Sequence, residues 1–104
     1  MEKQELSYSD ANYILLESDI HMMLDLLYCA STRIKLKDSD SVFLYIGLVK
    51  NIARHWAWFK EISIAQYKYI EILINQCFRT YSQGFYDDSL INLYKVRNFV
   101  NGLI

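Results

Sequence analysis

The chain contains no proline and only three glycines. The first absence removes the strongest breaker of helices, and the second leaves few positions for tight turns. No glycine-rich phosphate loop is present, and no serine, cysteine or histidine belongs to a pattern that supplies a nucleophile with its base, so the sequence offers neither a cofactor motif nor catalytic residues. There are two cysteines, Cys29 and Cys77, too few for a disulfide scaffold and without neighbours at metal-ligand spacing. Both lie in apolar stretches with helical spacing, so two reduced, packed thiols are expected, with a bond between two helices as the alternative.

Long hydrophobic runs are also missing. Charged or strongly polar residues interrupt every stretch before the roughly 18 to 20 residues of a membrane span, and the opening "MEKQELSYSD" has no hydrophobic signal core. A cytoplasmic protein is expected, one that meets a membrane only through a partner. Charge of one sign is lacking as well: the formal net charge is -1, which gives nucleic acid little electrostatic footing. Its distribution is uneven, because residues 1–41 carry eight acidic and four basic side chains while residues 42–104 carry four acidic and seven basic ones.

What remains is a chain of 104 residues, 53% hydrophobic and 15% aromatic, a composition that suits one folded domain over residues 1–104 and argues against disorder. Apolar residues recur at helical steps throughout. Tyr13, Leu16, Ile20, Met23, Leu27, Ala30 and Ile34 form a first stripe, which predicts a helix from about residue 9 to about 35, with Ser9 or Asp10 as its cap. "KDSDS", residues 37–41, is a polar break with several possible caps. Val42, Tyr45, Val49, Ile52, Trp56 and Phe59 make a second stripe, with Gly47 as a candidate close helix contact.

Ser63 and Gln66 have the spacing of a capping box, flanked by Ile62 and Tyr67 at the positions of a hydrophobic staple. They start a third helix whose stripe is Tyr67, Ile70, Ile74, Cys77 and Tyr81, widened by Leu73 and Phe78. "SQGFYDDS" supplies a stop at Gly84 and a start at Asp87 or Asp88. A shorter fourth helix follows, with Leu90, Leu93, Val96 or Arg97, and Val100. The short connections predict an all-α fold, an antiparallel up-and-down four-helix bundle.

Candidate sites are few. His21 and His55 lie on different predicted helices and fit no metal-binding pattern, so packing or surface roles are expected. Lys50, Arg54, His55, Trp58 and Lys60 form a basic and aromatic patch that suits nucleic acid in type, although the net charge speaks against it. Tyr69, Phe85, Tyr86 and Tyr94 cannot all lie on buried stripes, and exposed aromatics beside arginine suit protein interfaces. The candidate partner-binding residues are therefore Arg54, His55, Trp58, Phe85, Tyr86, Tyr94 and Arg97. No metal-binding, cofactor-binding or small-molecule site is expected.

The order of parts resembles the enterocin A-type immunity proteins made against pediocin-like bacteriocins. The likeness is carried by "FKEISIAQYKYIEILINQ", residues 59–76, by "YSQGFYDDSLINLYK", residues 81–95, and in layout by "LLYCASTRIKLKDSDSVFLYIGLV". The resemblance implies a non-catalytic cytoplasmic bundle that protects its host by acting on a bacteriocin-occupied sugar transporter in the membrane. It points to Phe85, Tyr86, Tyr94 and Arg97 as partner surface. Two other readings follow from the residues: a small phage or mobile-element regulator that binds protein or nucleic acid, and a homodimer that buries the extra aromatics between chains.

Overall fold

The computed structural model describes the backbone of residues 2–103 and the side chains of residues 17–103. Four helices account for nearly all of it: α1 (Glu2–Leu36), α2 (Ser39–Trp58), α3 (Ile64–Ser82) and α4 (Tyr86–Asn101). Each packs on the next in the chain, and α4 packs back on α1, so the four close a ring around one core. The fold is an all-α four-helix bundle.

The expected stripes are the core. Ile20, Met23, Leu27, Ala30 and Ile34 of α1 are buried, as are Val42, Val49 and Trp56 of α2 and Ile70, Leu73, Ile74, Cys77 and Tyr81 of α3. Tyr13 and Leu16, the first members of the α1 stripe, fall outside the described side chains. Because α1 starts at Glu2, Ser9 and Asp10 lie within the helix and not at its start. In α2 the buried face is centred on Ile46 and Ala53, and the half-buried Tyr45 and Ile52 flank it.

Phe59 is a correction. It caps the C-terminus of α2 and is 57% exposed, because the chain leaves the helix at that point. Gly47 is another: a Cβ built there meets nothing within 4 Å, so the residue marks no close approach of helices.

The turns follow from local hydrogen bonding. Asp38 caps α2 and Ser63 caps α3; at Ser63 the full capping box forms, with Gln66 N–H donating to Ser63 Oγ at 3.0 Å and Ser63 N–H to Gln66 Oε1 at 2.8 Å. Neither Asp87 nor Asp88 caps α4. Phe85 occupies that position without a side-chain bond, and the two aspartates sit in the first turn, where the helix dipole favours anions.

Three helices end alike. Asp38 N–H donates to Arg33 C=O and Lys37 N–H to Ile34 C=O, and the same pair of bonds recurs at Glu61 with Lys60 and at Phe85 with Gly84. The motif needs a left-handed residue, supplied by Lys37 (φ 58°), Lys60 (φ 60°) and Gly84 (φ 85°).

Polar groups inside the bundle are paired. Ser89 is fully buried, and its Oγ lies 2.9 Å from Thr80 Oγ1, 3.3 Å from the Cys77 carbonyl and 3.2 Å from the Phe85 carbonyl. No buried side-chain nitrogen or oxygen among the described residues lacks a partner. Cys29 and Cys77 are free thiols, and no helix among the described residues is long and apolar enough to cross a membrane.

Candidate interaction surfaces

The stretch "ARHWAWF" shows how a helix divides adjacent aromatics. Residues two apart on an α-helix point about 200° apart. Trp56 accordingly enters the core, where its Nε1–H donates to Asp19 Oδ2 at 3.1 Å, and Trp58 is left 81% exposed. The backbone then turns through Lys60 into the capping box of α3. The result is an open groove of about 670 Å³ with Trp58, Ile62, Ile64 and Tyr67 as its apolar wall and Arg54 and Lys60 as its cations. Glu61 lines it too. The structure thus brings Arg54 and Trp58 together. His55 faces elsewhere and packs on Phe59, with ring centroids 4.5 Å apart.

Electrostatics qualify the basic patch. Tyr67 Oη–H donates to Glu71 Oε2 at 2.8 Å, and this bond is the main cause holding the Glu71 carboxyl below its ordinary range, assisted by the charges of Lys68, Lys50 and Arg54. Lys50 also reaches Asn75 Oδ1 at 3.5 Å. A carboxylate therefore stands among the cations that a nucleic-acid backbone would have to engage.

A second surface lies at the turn between α3 and α4. Gly84 permits the turn, Phe85 is 56% exposed, and Tyr86 is half-buried against the core. Tyr86 meets Tyr81 edge-on at 5.3 Å, and Tyr81 in turn meets Phe43, which stacks on Phe78 at 5.5 Å. Lys37 Nζ sits 5.1 Å from the centre of the Tyr86 ring, and Tyr81 Oη shares a 2.9 Å hydrogen bond with Ser39 Oγ. Of the two candidates in this turn, Phe85 is free to meet a partner and Tyr86 is largely committed to the fold.

Tyr94 and Arg97 belong to a third surface, a cleft of about 350 Å³ between α1 and α4 shared with Asp25, Tyr28, Lys35 and Asn101. Tyr28, 74% exposed, was not among the residues expected from the sequence. Its only signal there is a position off the α1 stripe. Among the described residues Arg97 joins no ion pair; the two ion pairs found are Arg33 with Asp38 and Lys68 with Glu71. Tyr69, another expected exposed aromatic, is 45% exposed but packs on Phe99 at 4.9 Å.

The seven candidate residues therefore divide among separate surfaces. His21 and His55 are exposed and lie on α1 and α2; among the described residues no cluster of three or more His, Cys, Asp or Glu side chains is arranged to hold a metal ion. Compared with known proteins, the chain matches no family model, no curated protein and no solved structure.

Proposed function

We propose that this bundle acts by binding a protein partner through α4 and the turn before it, in the manner of a bacteriocin immunity protein. The observation that carries the reading is that Phe85 at the turn and Tyr94 with Arg97 in the cleft farther along α4, side chains of the types that anchor interfaces, are all exposed on the part of the chain where the likeness to the immunity family places the partner surface. Tyr28 extends that surface onto α1. The partner implied by the likeness is a membrane sugar transporter occupied by a pediocin-like bacteriocin, and the action is non-catalytic.

Expression of the chain in bacteriocin-sensitive cells tests the reading. Survival of a challenge with pediocin-like peptides is expected, and the doubly substituted Phe85→Ala, Arg97→Ala protein should accumulate and fold as before, judged by circular dichroism, yet lose protection. Unchanged killing of cells that contain folded wild-type protein across a panel of such peptides overturns it.

The competing reading, a regulator that binds nucleic acid, draws on Lys50, Arg54 and Lys60 beside Trp58. Glu71 and Asn75 engage part of that patch, so the protein-binding reading is preferred.

A further inference from the structure

α2 carries apolar residues on every side. Its inner face, Val42, Ile46, Val49, Ala53 and Trp56, is buried, and its flanks pack on α1 and α3. Of its residues only Asp40, Lys50 and Arg54 are charged, and none of positions 41–49 is. A helix of this kind is normally covered all round. Here the outer face is open, with Leu44 60% and Leu48 39% exposed.

One line runs along that outer face. Asp40, Leu44, Gly47, Asn51, Arg54 and Trp58 recur at alternating steps of four and three, the spacing of a seam that faces another helix. Gly47, at the middle of the line, serves no need of its own chain: its φ is not left-handed, and a Cβ there would meet nothing within 4 Å. Glycine inside a helix weakens it relative to alanine. What it permits is the close approach of a second backbone. Asp40 and Arg54 stand seven residues before and seven after it, about 10 Å away along the axis in each direction. Both are exposed, and neither joins an ion pair among the described residues.

These placements select a second copy of the chain as the occupant. An antiparallel copy of α2, related by a two-fold axis at Gly47, brings each Asp40 against the Arg54 of the other copy, so the same attraction forms at both ends. The line between them is uncharged, and Leu44 of each copy comes beside Leu48 of the other. Lys50 is turned toward α3, where it reaches Asn75. We propose that this chain forms a two-fold dimer in which α2 packs antiparallel on α2 across Gly47. The dimer does not rest on the immunity reading and uses none of its surface residues. α4, which lies between α1 and α3 in the ring of helices, stays open in each copy.

Sedimentation equilibrium of the full chain tests it. The wild type is expected to be a dimer. Asp40→Arg or Arg54→Asp alone sets like charges against each other at both ends and should weaken self-association about tenfold or more. The doubly substituted Asp40→Arg, Arg54→Asp chain should recover wild-type strength. The two positions lie about 21 Å apart along one helix, so that recovery passes only between copies. Gly47→Leu places a good helix former at the axis but blocks the approach of the second backbone. The dimer should then be lost while circular dichroism shows the helices intact. A wild type that stays monomeric at high concentration overturns the proposal. So does a dimer that Gly47→Leu leaves unchanged, or one that the single charge substitutions do not weaken or the double substitution does not rescue, because the copies then meet through another face.

Discussion

Cys77 sits among Ser89, Thr80 and the apolar core of α3 and α4, and burial pushes its thiol from an ordinary value of 9.0 up to about 12. Its folded value is raised, so between pH 9 and about 12 the unfolded chain releases a proton that the native one retains. Stability should therefore be unaffected by this group below pH 9 and fall above it, by at most about 1.4 kcal/mol per pH unit. Urea denaturation of wild type and Cys77→Ala at several pH values reads this directly: the difference between the proteins should shrink as the pH climbs from 9. A constant difference would mean that the thiol ionises as freely in the folded chain as in the unfolded one. At this scale the sequence was partly legible. Periodicity placed Cys77 and Trp56 inside, since a residue on an apolar stripe has only the core to face. It misjudged Phe59, which keeps the spacing of the stripe but arrives where the helix stops.

The helix ends divide in the same way between what side-chain chemistry announces and what backbone conformation conceals. The capping box of Ser63 and Gln66 was legible because both partners are side chains at a fixed spacing. The left-handed residues closing α1 and α2 were not, since a glycine marks such a position and here both are lysines. A lysine in that conformation carries steric strain that glycine avoids. Lys60→Gly should raise stability by about 0.5–1 kcal/mol, the relief being reduced by the greater freedom of glycine in the unfolded chain. Gly84→Ala should lower it by about 1 kcal/mol, because the same geometry then carries a Cβ. Shifts of the urea midpoint at constant slope measure both. Equal and negligible shifts would show that these turns tolerate any residue. The buried Ser89 and Asn92 of α4 were hidden for another reason: polar residues on a helix normally mark its solvent face, and here Thr80 and backbone carbonyls make the Ser89 exception affordable.

The whole molecule was legible as a four-helix fold and much less so as a set of surfaces. A fold of this kind is written in stripes and breaks that lie close together in the sequence. A surface is assembled from residues that only packing brings together, such as Tyr28 with Tyr94 and Arg97, or Trp58 with Ile64 and Tyr67. For the same reason the seven candidate residues, grouped by type, came apart by position once the helices were placed. The turns between helices span only two, five and three residues, so three of the four closely packed helix pairs among the described residues join segments adjacent in the chain. This arrangement bears on how quickly the native state is reached. Chains rich in local contacts fold in microseconds to milliseconds, and the absence of proline removes the isomerisation that otherwise adds a phase of about tens of seconds. Refolding followed by tryptophan fluorescence in a stopped-flow instrument should therefore finish in a single fast phase at low protein concentration. A slow, concentration-independent phase would show that a long-range step such as docking α4 against α1 holds folding back.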